Sequence, residues 1–143
     1  MKLKTVIDKN EQERVEIYAH QRNALVEAIE KLVDGTQTDL IGYLDDQGVI
    51  LTPDKVSCFV SEDDKTYALV GNEKLRVKLR LYALEERYSA GFIRINQSAL
   101  ANLAHIERFD TSISGTILVK FKNGHRDFVS RRNLKQVKER LGI

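Results

Sequence analysis

Apolar positions alternate with polar ones at both ends of residues 3–19, as Leu3, Thr5 and Ile7 and again as Val15, Ile17 and Ala19. The polar run Asp8-Lys9-Asn10-Glu11-Gln12-Glu13 separates them, so the pattern predicts two strands and a connection. The period then changes. Leu25, Ile29, Leu32 and Val33 recur at helical spacing within Asn23–Val33, Ala24, Val26 and Ala28 widen the stripe, and Gly35 is the expected stop. From residue 38 the chain reads as short strands and sharp turns: Leu40–Leu44, a polar turn through Asp45-Asp46-Gln47-Gly48, Val49–Leu51, Lys55–Val60, an acidic loop Ser61–Asp64, Thr66–Val70, then Gly71–Lys74 turning into Leu75–Val77. Such spacing predicts a meander or an open barrel rather than βαβ units.

Leu79, Leu81, Tyr82, Leu84, Glu85 and Glu86 predict a short amphipathic helix before Phe92–Ile95, a strand. A helical turn is expected over Gln97–Ala101 and a strand over Leu103–Phe109. The sharpest local signal is a hairpin, Ile117–Val129, around Asn123-Gly124. Read as a two-residue type I′ turn, Asn-Gly pairs Lys120 with Asp127, Val119 with Phe128 and Leu118 with Val129. Ser130 then caps a last helix with Leu134, Val137 and Leu141 on one face, Gly142 as terminator, and Arg131, Arg132, Lys135, Lys138 and Arg140 on the other. The sum is a mostly β fold with short helices, of the α+β class.

Composition adds a division of charge. Residues 92–143 hold ten Lys and Arg against four Asp and Glu, a net of +6, while residues 1–91 hold thirteen against seventeen, a net of −4. A basic C-terminal third is what a surface meeting a polyanion carries. No run approaches the roughly 20 apolar residues of a membrane span, and the N-terminus lacks a signal-peptide stretch, so a cytoplasmic protein is expected. The single cysteine, Cys58, excludes an internal disulfide and reads as a buried strand residue. Nothing favours catalysis, a metal, a cofactor or a small-molecule substrate. His20, His105 and His125 are far apart, no phosphate-cradling glycine loop is present, and the paired carboxylates Asp45-Asp46 and Asp63-Asp64 fall in turns.

The candidate chemistry lies at the ends of two late strands. Arg94, Asn96, Gln97 and Ser98 close one. Ser130, Arg131, Arg132 and Asn133 follow the other and open a helix, whose N-terminus adds backbone N–H groups and a favourable dipole for phosphate. Arg reads guanine O6/N7 and takes phosphates, and Asn and Gln do the equivalent for adenine. These segments lie about thirty-five positions apart and are expected to converge on one rim. On composition alone the cationic helix face is equally a solvated face, Ser130 a simple N-cap and Asn102 a turn residue. A nucleic-acid-binding domain and a protein-interaction or ligand-sensing module without DNA binding both remain open.

The order Phe92-x-Arg94-x-Asn96-Gln97-Ser98-x-x-x-Asn102, then Ile106, a hairpin strand with Asn123-Gly124, and Val129-Ser130-Arg131 before a last helix resembles the LytTR DNA-binding domains of bacterial transcriptional regulators. The helix with Leu81, Leu84, Glu85 and Glu86 fits as well. The likeness covers about residues 38–143, leaving 1–37 as a strand-strand-helix extension. It implies elongated packed sheets with a C-terminal helix, and binding to double-stranded promoter DNA with loops in successive major grooves. The implied contacts are the loop Asn96-Gln97-Ser98, Arg131 and Arg132, and a loop at about Asp63–Tyr67 with Lys65 the chosen residue. Arg94 and Asn133 join them as candidates. Asn96-Gln97 departs from the commoner pattern, in which a basic residue or His stands there, so charge on that loop is lower. About 37 residues precede the domain, too few for a phosphoacceptor receiver, which suggests a stand-alone form governed by a membrane partner protein. A homodimer through residues 1–37 is expected, since linked half-site contacts add avidity.

Overall fold

The computed structural model describes residues 1–34, 39–113 and 116–143 and divides into two units, residues 1–38 and 39–143.

In the first unit, helix α1 spans Ala24–Asp34. Asn23 starts it: its Oδ1 accepts the Val26 N–H at 3.0 Å, which satisfies one of the orphan donors of the first turn. The expected stop at Gly35 lies outside the described residues. The two expected strands do not form, and residues 1–23 hold no regular element. Leu3, Val6 and Ile7 are exposed. Alternation becomes a strand only where another strand supplies a ladder and a face to bury, and residues 1–23 offer neither. A turn does form inside the polar connection, where the Asp8 carboxylate accepts the Asn10 N–H at 3.0 Å.

The second unit is antiparallel throughout. Strands β1 (Leu40–Leu44), β2 (Gln47–Leu51), β3 (Cys58–Glu62), β4 (Lys65–Val70), β5 (Glu73–Val77), β6 (Phe92–Asn96) and β7 (Ala99–Asn102) make a seven-stranded sheet in the order β2-β1-β5-β4-β3-β7-β6. Strands β8 (Ile106–Ile113), β9 (Thr116–Phe121) and β10 (Arg126–Val129) form a second sheet in the order β10-β9-β8. Helix α2 (Leu81–Arg87) follows β5, and helix α3 (Arg131–Leu141) follows β10. The sheet is open, a set of meanders rather than a barrel.

Strands β3, β7 and β6 are buried on both faces, and their period of two divides their side chains between two cores. Phe59, Leu100 and Phe92 enter the first core with Leu81 and Leu84 of α2. Cys58, Val60, Ala99, Ala101, Ile93 and Ile95 enter the second, with Ile117, Val119, Phe121, Val129 and Val137 of the smaller sheet and α3. Burial pushes the Cys58 thiol well above its ordinary range, so it stays protonated and packs as a small apolar group.

Three local expectations are corrected. Gln97–Ala101 is no helical turn: Gln97-Ser98 is a tight turn and β7 starts at Ala99, because Ala99, Leu100 and Ala101 complete the β3 ladder and are fully buried there. The strand expected from Leu103 starts at Ile106, after a single 3₁₀ turn at Leu103–His105. The hairpin around Gly124 is shifted by one residue, with Arg126 opposite Lys120, Asp127 opposite Val119, Phe128 opposite Leu118 and Val129 opposite Ile117. Lys122-Asn123-Gly124 is therefore a three-residue loop with Gly124 alone at positive φ (92°). Burial selects this register. It sets Val129 beside Ile117 in the core and leaves Phe128 and Leu118 together on the outer face, whereas the two-residue turn would pair Phe128 with buried Val119.

Candidate nucleic-acid interface

One end of the large sheet gathers the candidate residues. Strands β6 and β7 meet there at Gln97-Ser98, and β3 and β4 meet two strands away at Asp63-Asp64. A hydrogen bond from the Ser61 N–H to the Ser98 carbonyl, 2.9 Å, joins the two hairpin ends. Asp63 and Asp64 both hold positive φ (50° and 63°), the backbone of a two-residue type I′ turn. That turn shortens the expected acidic loop and sets exposed Lys65 at the first position of β4.

The β6–β7 turn is built from its neighbours. A register shift between Arg94 and Asn96 re-aims the end of β6. Arg94 donates to Glu85 of α2 and to the Gln97 carbonyl, each at 2.9 Å. Asn96 points inward and is only 4% exposed. Its amide nitrogen donates to the Asp127 carboxylate at 2.8 Å and to the Phe128 carbonyl at 2.9 Å, and its oxygen accepts the Ser98 N–H at 2.8 Å. An amide so enclosed does not reach a base edge. The base contact expected of Asn96 is therefore corrected to a role inside the turn, while Gln97 and Ser98 are exposed on it.

The second segment arrives beside it. The Ser130 N–H donates to the Ile95 carbonyl at 2.9 Å, so the β10–α3 junction closes the β6 edge of the sheet. Ser130 stands at the N-cap, but its hydroxyl accepts the Asn133 side chain at 2.8 Å instead of a helix N–H. Gly142 ends α3 in the left-handed region (φ 72°), as the sequence led one to expect. Arg131 and Arg132 are exposed on the first turn.

Arg94, Gln97, Ser98, Arg132 and Asn133 share an open groove of about 760 Å³, with Asn96 in its wall. Arg131 stands beside that groove and Lys65 at the same sheet end, neither lining it. Convergence of the two late segments is thus realised. Sequence reading missed Glu85, Asp127 and Gln136, which also line the groove, and Arg80, which donates to the Asp64 carbonyl at 3.1 Å. For Asp127 the missing signal was the hairpin register. Burial alone would raise its carboxyl, but the His125 ring at 3.6 Å, the Phe128 N–H and the Asn96 amide outweigh that and hold it below its ordinary range. Asn102 proves internal: its amide donates to the Val56 carbonyl at 2.8 Å and its oxygen accepts the Ala104 N–H at 3.0 Å.

An exposed Gln, Ser and Arg stand on a strand end and at a helix N-terminus, an arrangement that suits a DNA-binding domain. Helices α1, α2 and α3 are each separated by strands, so the described residues contain no helix-turn-helix pair. The LytTr DNA-binding domain family matches residues 46–142, and the chain belongs to that family. An uncharacterised HTH-type transcriptional regulator of Staphylococcus aureus strain NCTC 8325 / PS 47 is 36% identical over 146 residues, spanning 100% of this chain and 99% of that one. Its counterpart in strain MSSA476 is 35% identical over the same spans. A solved LytTr DNA-binding domain from Bacillus cereus shares the fold with a TM-score of 0.70 at 24% identity, covering 75% of this chain and all of that one. The protein is a DNA-binding transcription regulator, and the reading without DNA binding falls. Among the described residues no helix is long and apolar enough to cross a membrane.

Proposed function

We propose that the protein binds double-stranded promoter DNA sequence-specifically, with the Gln97-Ser98 turn and the start of α3 entering one major groove and the Asp63–Lys65 turn the next. The carrying observation is the junction of two distant basic and amide-bearing segments, tied by the Ser130–Ile95 backbone bond at 2.9 Å. In this reading Gln97 reads base edges, Arg132 takes guanine or phosphate, and Arg131, Lys65, Ser98 and Asn133 hold phosphates and set register. Arg94 and Asn96 shape the turn from within. The protein acts in the cytoplasm, without catalysis or cofactor.

Residues 1–37 then serve to pair two copies. Leu25 (50% exposed) and Leu32 (74%) on α1 support this, since an apolar stripe left in water on a helix favours association. Light scattering of the full chain is expected to give twice the chain mass, and a monomer at working concentrations removes the pairing.

Selection from a randomised duplex pool, followed by sequencing, tests the main reading. Enrichment of one motif is expected, and flat recovery overturns it.

A further inference from the structure

We propose that Asp127 and Asn96 are positioning residues for DNA reading: a carboxylate–amide strut from β10 that fixes the Gln97-Ser98 turn in one shape before DNA arrives. The proposal rests on the DNA-reading role given above to that turn.

Every polar group of the Asn96 amide points at a partner. Both acceptors of its nitrogen, Asp127 Oδ1 and the Phe128 carbonyl, lie on β10, and its oxygen holds the Ser98 N–H. The side chain therefore links a strand of the small sheet to the turn of the large one. Asp127 fixes its own carboxylate by accepting the Phe128 N–H at 2.9 Å through the same oxygen. From the other side Arg94 holds the Gln97 carbonyl, and Ser61 holds the Ser98 carbonyl. Three backbone groups of a two-residue turn are thus bonded, and the exposed Gln97 side chain carries the freedom that remains.

Electrostatics sharpens the point. Asp127 lies in the wall of a groove that also holds Arg94 and Arg132 and receives a polyanion, where a carboxylate works against binding unless it does something else. Here it serves as a hydrogen-bond acceptor. A turn ordered in advance avoids the entropy loss of ordering it on DNA, roughly tenfold in affinity per backbone residue fixed. That gain belongs to contacts needing an exact side-chain pose. Base reading benefits, and phosphate attraction does not.

The test measures full-length wild type, Asp127→Ala, Asn96→Ala and Asp127→Asn on the selected duplex and on a scrambled duplex of equal length and salt. Asp127→Ala and Asn96→Ala are expected to lose about tenfold on the selected duplex and less than about twofold on the scrambled one. Asp127→Asn keeps an oxygen for Asn96 and for the Phe128 N–H, so it should stay within about twofold of wild type on the selected duplex. A merely structural role would lower both affinities together as the folded fraction falls. An unchanged ratio of selected to scrambled affinity in Asp127→Ala overturns the strut, as does Asp127→Asn behaving like Asp127→Ala. Amide hydrogen exchange on unbound wild type adds a reading independent of variant folding: the Ser98 N–H should be as protected as those of β7, and free exchange there overturns the proposal. Wild type that prefers no duplex sinks the DNA reading itself, a result distinct from either of these.

Discussion

Gln97 and Arg132 share one property that Asn96 lacks: they are exposed, and no hydrogen bond among the described residues claims their polar ends. Arg132→Ala is accordingly expected to weaken binding to the selected duplex by about 1–3 kcal/mol while the melting temperature stays nearly constant, because an exposed first-turn side chain contributes little to folding. Parallel titration and thermal melts decide it, and wild-type affinity removes Arg132 from the interface. Asp127 behaves differently, since its carboxyl is held below its ordinary value of 3.8. A lowered folded-state value means stability that is full above the unfolded value and is lost as pH falls through the folded one. Between about pH 6 and pH 3 the urea midpoint of wild type should therefore drop more than that of Asp127→Asn, and equal slopes would contradict this. At this scale the exposure of Gln97, Ser98, Arg131 and Arg132 was legible, because polar residues just past a strand end usually face water. The inward turn of Asn96 was not. A register shift within β6 and partners on distant β10 decide it, and neither leaves a local mark.

Strands and helices announce themselves through their periods, and most did so here. The exceptions share a cause. Asn-Gly permits both a two-residue and a three-residue loop, and the choice falls to whichever register buries Ile117, Val119 and Phe121 together with Val129. Residues 3–7 and 15–19 alternate as strands do, yet a strand is a property of a pair. Close packing within the large sheet gives a test at this level. A Cβ on Gly42 in β1 would lie 2.8 Å from Leu51 Cδ1 and 3.0 Å from Leu75 Cβ, both side chains buried. Gly42→Ala should destabilise by about 1–3 kcal/mol in urea unfolding, since a filled core accepts an extra methyl only by moving its neighbours. No loss of stability would mean that Leu51 repacks freely.

For the whole molecule, the division between an acidic residue 1–91 segment and a basic C-terminal third was plain in the sequence, and it predicts behaviour. Each phosphate neutralised releases counterions, so log affinity should fall linearly with log salt at a slope near −0.9 per phosphate contact. Removing Lys65 or Arg131 should flatten that slope by about one unit each and spare the choice of sequence. An unchanged slope would take either residue off the backbone. What the chain could not disclose in advance was its pair of cores, because strands buried on both faces read as plain apolar runs.

Those doubly buried strands have a consequence for how such a regulator acquires new targets. The tip at Gln97 stands on strands packed into both cores and on a turn bonded from three sides, so it has little room to bend toward a different operator. Change must come by exchanging the tip residue and leaving its foundation alone. Lineages, and engineers, are steered toward swapping letters at a fixed address.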